Sequence, residues 1–262
     1  MATEKLMNKE QPQVFSKVPE LTLVFWIIKI LATTLGETGG DALSMSMNLG
    51  YLLSTGIFAV VFVAAVIVQV RAGKFHPVIY WTTIVATTTV GTTLADFADR
   101  SLGIGYAGGS SILLVMLLAA LWIWKSTLGS VAVDSVNSPK SEMFYWLTIM
   151  CSQTLGTALG DWTADTEGLG YGGGVLVFGG ALAVIAAGYY FTKISRTVLF
   201  WAAFILTRPL GAVVGDFLDK PMDKGGLNLS RYSASATLLL LMFFFIFAFS
   251  HKPAKHVSDG QG

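Results

Sequence analysis

FWIIKILATTLGETGGD (25–41) is apolar enough to sit in lipid, yet it ends in glycines, a glutamate and an aspartate. Three more stretches follow its plan: YWTTIVATTTVGTTLAD (80–96), YWLTIMCSQTLGTALGD (145–161) and FWAAFILTRPLGAVVGD (200–216). Each opens on Phe or Tyr followed by Trp26, Trp81, Trp146 or Trp201. In each, a Gly follows ten residues after the Trp, and an Asp five residues after that Gly. The four align without a gap, and self-similarity at this spacing marks a chain built from repeats.

A second phrase follows each Asp: NLGYLLSTG (48–56), GIGYAGGSS (103–111), GLGYGGGVL (168–176) and, more loosely, NLSRYSASA (228–236). Each leads into a long apolar block such as IFAVVFVAAVIVQV (57–70) or ILLVMLLAALWIW (112–124). With their flanks these reach the roughly 20 residues that cross a bilayer. They lack the polar face of a helix on a soluble core. The unit is therefore helix, short loop, helix. The sequence predicts an all-α, polytopic membrane protein with eight transmembrane helices, arranged as four parallel two-helix repeats around an axis along the membrane normal. The expected spans are 20–44, 49–71, 77–99, 106–125, 142–165, 172–192, 195–219 and 231–250. The corresponding segments are an N-terminal stretch (1–19), repeat 1 (20–73), repeat 2 (74–125), a linker (126–140), repeat 3 (141–193), repeat 4 (194–250) and a tail (251–262).

Composition agrees. The chain is 53% hydrophobic and 13% charged, with mean hydropathy +0.64, whereas soluble domains carry about 25% charged residues. A net charge of +1 offers nothing to nucleic acid. Residues 1–17 lack the apolar centre of a cleavable signal. Cys151 stands alone, which excludes an intramolecular disulfide and any multi-cysteine cluster.

The aromatic–Trp pairs and the Gly-x-x-x-(Gly/Ala)-Asp endings resemble those of uncharacterised bacterial membrane proteins built from four tandem copies of a two-helix repeat with a characteristic tryptophan. The resemblance covers roughly residues 20–250. It implies architecture and a bacterial cytoplasmic membrane, and it carries no assigned function.

Lys and Arg placement sets the expected sidedness. Eleven fall in the termini and inter-repeat loops; Arg100, Lys220, Lys224 and Arg231 fall at the opposite ends. Both termini are expected in the cytoplasm. The acids, among them Asp99, Asp165, Glu167, Asp219 and Asp223, gather at the outer helix ends.

Gly36/Gly40, Gly91/Ala95, Gly156/Gly160 and Gly211/Gly215 are pairs of small residues one turn apart. Such pairs let helix backbones approach closely in a membrane. Asp41, Asp96, Asp161 and Asp216, with Glu37, would then form one carboxylate layer at the converging outer ends. Acids at helix C-termini oppose the helix dipole, and four together repel. A bound cation or shared protons would relieve this; solvation of the helix ends is the plain alternative. His76, His251 and His256 lie at the termini side, so the donors are oxygens. Oxygens suit Mn²⁺, Mg²⁺ or Ca²⁺ rather than zinc or copper. No other cofactor is implied.

Lys29 and Arg208 lie deep in their helices, where a charge needs a partner or water. Arg208 is expected to pair with Glu37 or Asp41, and Pro209 to kink its helix into a gate. The Trp pairs read as interfacial anchors or core wedges. Asp41 is expected to matter most for binding, with Asp216 partly neutralised by Arg208. The resulting expectation is a transporter or channel for a small cation, a divalent metal ion first, with proton coupling left open, and not an enzyme. A membrane-embedded metal-dependent enzyme and a non-catalytic scaffold or sensor stay open. The expected partners are the lipid bilayer and the ion, and the oligomeric state is left open.

Overall fold

A computed structural model describes residues 15–166 and 168–254. Lys5, Lys9, Glu167, Lys255 and His256 lie outside the described residues. The described residues form an all-α bundle of eight helices: α1 (Leu23–Asp41), α2 (Gly50–Arg71), α3 (Pro77–Asp96), α4 (Tyr106–Leu128), α5 (Pro139–Asp161), α6 (Gly170–Phe191), α7 (Arg196–Asp219) and α8 (Arg231–Ala248). Their starts follow from local chemistry. Thr22 caps α1 by accepting from the Phe25 amide. Pro77 and Pro139 open α3 and α5, where a missing N–H costs nothing. Ser138 and Ser141 form a capping box on α5. Gly129 ends α4 with φ +78°, a conformation that glycine adopts without strain.

The odd-numbered helices form the core. α1 packs against α3 and α7, and α5 packs against the same two, so these four close a ring. Each even helix lies outside, against the odd helix of the next repeat: α2 on α3, α4 on α5, α6 on α7, and α8 on α1. Like ends of the odd helices lie together. Near their N-termini the first aromatic of each repeat meets the Trp of the next. The ring centroids are 5.3 Å apart for Phe25–Trp81, 5.7 Å for Tyr80–Trp146, 6.3 Å for Tyr145–Trp201 and 6.1 Å for Phe200–Trp26. Neighbouring odd helices therefore run in the same direction.

Of the two readings of the tryptophans, the structure selects wedges. Trp81, Trp146 and Trp201 are buried, and Trp26 is half-buried. Tilted and edge-on aromatic packing of this kind adds about 0.5–1.5 kcal/mol per pair beyond area burial. It fastens the ring at one end.

The small residues fasten the other end, and all eight expected at the seams are buried: Gly36, Gly40, Gly91, Ala95, Gly156, Gly160, Gly211 and Gly215. A Cβ on Gly36 would strike Thr88, and one on Gly91 would press on Gln153. One on Gly156 would strike Arg208, and one on Gly211 would strike Thr33. In every case the obstacle is three residues before the matching Gly of the next repeat. The second small residue behaves alike where it is glycine: Gly40 meets Thr92, Gly160 meets Ala212 and Gly215 meets Glu37. Ala95, the one small residue of the eight that is not glycine, is buried like its counterparts, but it brings a methyl group of its own to the seam. The chain therefore needs a bare backbone at the first small position of all four repeats, and at the second position of only three. Pro209 lies inside α7, which continues unbroken in span to Asp219, and its ring sits against Gly156. The missing side chain at Gly156 is what makes room for it.

Among the described residues, six helices are long and apolar enough to cross a membrane: α1, α2, α4, α6, α7 and α8. α3 and α5 have the length, but their inward faces carry Thr87, Thr88, Thr92, Gln153 and Thr157, which lowers their hydropathy. The outer helices show the reverse pattern. Val60, Val115, Trp122, Leu176, Val184, Leu240 and Phe247 all point outward and are exposed.

At the N-terminal end of the ring, three segments meet. The Lys17 amide donates to the Val136 carbonyl, and the Ala254 amide donates to the Val18 carbonyl. Lys17 Nζ lies 2.7 Å from the Glu142 carboxylate. Val18 and Val136 are buried in the same core cluster as the aromatic pairs.

Candidate functional site

From Phe25, every fourth residue of α1 is buried: Lys29, Thr33, Glu37 and Asp41. The matching positions of the other odd helices are buried too. They run Tyr80, Ile84, Thr88, Thr92, Asp96 in α3; Tyr145, Ile149, Gln153, Thr157, Asp161 in α5; and Phe200, Phe204, Arg208, Ala212, Asp216 in α7. Each level of the ring is thus one repeat position seen four times. An aromatic level comes first and an aspartate level last.

Arg208 holds the level below the aspartates. Its Nη2 donates to Glu37 Oε2 at 2.8 Å, and to Thr92 Oγ1 and Thr157 Oγ1 at 2.5 Å each. Those three residues stand at one repeat position on α1, α3 and α5, so the guanidinium spans the middle of the ring. It is fully buried.

The four aspartates are not equivalent. Arg100 lies four residues after Asp96 and bridges it to the next repeat. Its Nε is 3.1 Å from Asp96 Oδ1, and its Nη2 is 2.9 Å from Asp161 Oδ2. Lys220 lies four residues after Asp216 and does the same. Its Nζ is 3.0 Å from Asp216 Oδ1 and 2.6 Å from Asp41 Oδ2. Arg231 adds a third clamp, 3.0 Å from Asp219 Oδ2 and 3.7 Å from Asp41 Oδ2. Burial pulls the Lys220 ammonium down, but the charges of Asp216, Asp41 and Asp219 outweigh it and hold it well above the usual lysine range.

Among the described residues, two groups of carboxylates have the geometry to hold a metal ion. Glu37, Asp161 and Asp216 each bring an oxygen within 4.8 Å of the others, and so do Asp41, Asp216 and Asp219. All five residues are buried. Asp216 belongs to both groups, and Asp96 to neither. Oδ1 of Asp41, Asp161 and Asp219 has no hydrogen-bond partner among the described residues. Buried acceptors of this kind call for a water or an ion. Six carboxyls (Glu37, Asp41, Asp96, Asp161, Asp216, Asp219) face four bases (Arg100, Arg208, Lys220, Arg231). The excess is acidic, so the site favours a cation.

The expected carboxylate layer carries bases of its own. Two bridging bases divide the layer into the pairs Asp96–Asp161 and Asp216–Asp41. Arg208 bonds to Glu37 and not to Asp216, which is compensated by Lys220 instead. Lys29 has no acid. Its Nζ sits 4.1 Å from the centre of the Phe204 ring and has no hydrogen-bond partner among the described residues. The clamping roles of Arg100, Lys220 and Arg231 went unread in the sequence, and Asp219 was read only as one of the outer acids. A signal for two of them was there: Arg100 and Lys220 each stand four residues after the repeat Asp, in repeats 2 and 4.

One family matches the chain. It is described as a repeat of unknown function, DUF347, and its matches cover residues 24–75, 79–129, 144–195 and 199–253. No curated protein and no solved structure matches.

Proposed function

We propose, from the premise that this chain belongs to the DUF347 repeat family, that it is an integral membrane transporter of a small divalent cation. In this reading all eight helices cross the bilayer and the four repeats surround one axis along the membrane normal. The apolar outward faces of α2, α4, α6 and α8 support the membrane placement, because a surface so continuous is unstable in water. The observation that carries the function is the pair of buried carboxylate groups sharing Asp216 at one end of the ring. Carboxylate oxygens with neighbouring hydroxyls match hard cations such as Mn²⁺, Mg²⁺ or Ca²⁺.

The basic side chains fit a transporter better than an open pore. Arg208 blocks the middle of the ring one turn below the aspartates. Arg100 and Lys220 close the acids from the other side. A cation reaching the site must displace Lys220 from Asp216 or Arg208 from Glu37, so the site opens to one side at a time. Tethered bases also lower the cost of gathering acids while the cargo is elsewhere.

Purified protein in liposomes should take up at least one of Mn²⁺, Mg²⁺ and Ca²⁺ down its gradient. Asp216→Asn should abolish uptake, since it strips a ligand from both groups. Asp96→Asn should retain it. Equal uptake by the wild type, Asp216→Asn and protein-free liposomes would refute the reading.

A further inference from the structure

The two carboxylate groups lie at different depths in the ring. Glu37 stands four residues before Asp41, so it lies about 6 Å deeper at helical rise. Asp219 stands three residues after Asp216, about 4.5 Å farther out along α7. Glu37, Asp161 and Asp216 therefore form an inner group, and Asp41, Asp216 and Asp219 an outer one. Asp216 is the ligand common to both.

Each group holds its own unpartnered acceptor. In the outer group, Oδ1 of Asp41 and of Asp219 has no hydrogen-bond partner among the described residues, and in the inner group the same is true of Asp161. All three residues are less than a tenth exposed. The neighbouring bases differ as well. The outer acids meet Lys220 and Arg231, whose side chains are 11% and 21% exposed. The inner group meets Arg100 at Asp161, and its deepest ligand, Glu37, meets Arg208, which is not exposed at all. Solvent thus reaches the outer group more readily than the deep end of the inner one.

Charge limits how many ions fit. Six carboxyls face four bases here, so the ionised cluster carries an excess of two negative charges. A single divalent cation cancels that excess. A second one, in the same buried place, would add charge with nothing to balance it.

We propose that the two groups are successive stations for one divalent cation, with Asp216 as the ligand that holds it at both. This rests on the transport reading above. An ion arriving from the open end displaces Lys220 and binds Asp41, Asp216 and Asp219. It moves inward by exchanging Asp41 and Asp219 for Glu37 and Asp161, and Asp216 keeps its hold throughout. Arg208 gives up Glu37 and stays bonded to Thr92 and Thr157. Lys220 returns to Asp41 and closes the outer station behind the ion. A shared ligand matters because a cation stripped of all charged partners is very costly in a dry interior. Sharing also sets the order of events, since Asp216 can serve only one ion at a time.

Equilibrium dialysis of the detergent-solubilised protein against Mn²⁺ counts the bound ions, and uptake of Mn²⁺ into liposomes reads passage. Asp219 serves the outer station alone, and Asp161 the inner station alone. Wild type, Asp219→Asn and Asp161→Asn should each bind a single Mn²⁺, because one station survives in each variant. The double variant should bind none, and both single variants should lose uptake. A wild type that saturates with a pair of Mn²⁺ ions would make the two groups one bridged centre and overturn the proposal. So would a single variant that transports like wild type, or one that no longer binds Mn²⁺. None of these three results touches the transport reading, provided that wild type takes up Mn²⁺. A wild type that neither binds nor takes up any of Mn²⁺, Mg²⁺ and Ca²⁺ would overturn that reading and this proposal with it. Should the variants fail to fold, the wild-type stoichiometry decides alone: a pair of Mn²⁺ ions overturns the proposal and a single ion upholds it.

Discussion

Arg208 is the residue on which the interior turns. It brings a permanent charge to the middle of a ring where nothing is exposed, and it is matched by one carboxylate and two hydroxyls. Removing one member of such a pair leaves the other buried and uncompensated, at a cost of about 3–5 kcal/mol, whereas removing both is often close to neutral. Arg208→Met should therefore lower the melting temperature in detergent sharply. Arg208→Met combined with Glu37→Gln should recover most of the loss. A double variant that melts no higher than the single one would show that Glu37 is not the partner that matters. Lys29 provides the contrast. Because it pairs with no acid, Lys29→Met should hold or raise the melting temperature. The sequence made Arg208 and Lys29 conspicuous as charges inside apolar helices. It could not say that one is paired and the other is not, since that depends on which side chain reaches across three helices.

At the scale of the helix, the small residues do their work in pairs across a seam. Gly211 and Gly179 are both helical glycines with different surroundings. A Cβ at Gly211 would strike the Thr33 side chain and approach its backbone carbonyl carbon at 2.9 Å, while a Cβ at Gly179 would meet nothing within 4 Å. Gly211→Ala should cost about 1–3 kcal/mol through overpacking. Gly179→Ala should stabilise α6 by up to about 1 kcal/mol, the gain of alanine over glycine in a helix interior. Equal melting of the two variants would mean that α7 and α1 are not in close contact. These seams were legible in the sequence because the small residues recur in register four times. Ala95 was the one departure within that pattern, and its burial shows that α3 tolerates a methyl where the other odd helices carry none. The bases between the aspartates were less legible. Arg100 and Lys220 occupy one repeat position, but the matching residues in repeats 1 and 3 are Met45 and Asp165. A pattern present in two repeats of four does not stand out until the ring brings each base against the following repeat's acid. Asp219 was harder still, because it joins the site through Arg231 of α8, a helix that the repeat alignment matched only loosely.

For the molecule as a whole, one rule explains most of the architecture: polar surface faces inward and apolar surface faces outward. The ring buries threonines, acids and bases against each other, and the outer helices turn Leu, Val and Phe away from it. That inversion suits lipid, where the surrounding medium offers no penalty to apolar side chains and no hydrogen bonds to polar ones. It was legible from composition and repeat spacing alone. The closure of α8 onto α1 was not, because nothing local in either segment records the other. The membrane reading carries a prediction about sidedness. If each repeat crosses the membrane out and back, the turns within repeats lie on one face and the connections between repeats on the other. Leu102, Gly168 and Gly225 are exposed in the first set, and Lys74, Ser126 and Lys193 in the second. Single cysteines placed at these six positions, in a background with Cys151 replaced by Ala, should label in two groups with an impermeant thiol reagent. In intact cells only 102, 168 and 225 should react if, as Lys and Arg placement leads one to expect, the Lys- and Arg-rich side faces the cytoplasm. In inverted vesicles only 74, 126 and 193 should react. A mixed result, such as 126 labelling together with 168, would mean that α5 does not cross the membrane. The threonine-bearing α3 and α5 are where this test is most exposed, since they are not among the helices apolar enough to cross a membrane by themselves.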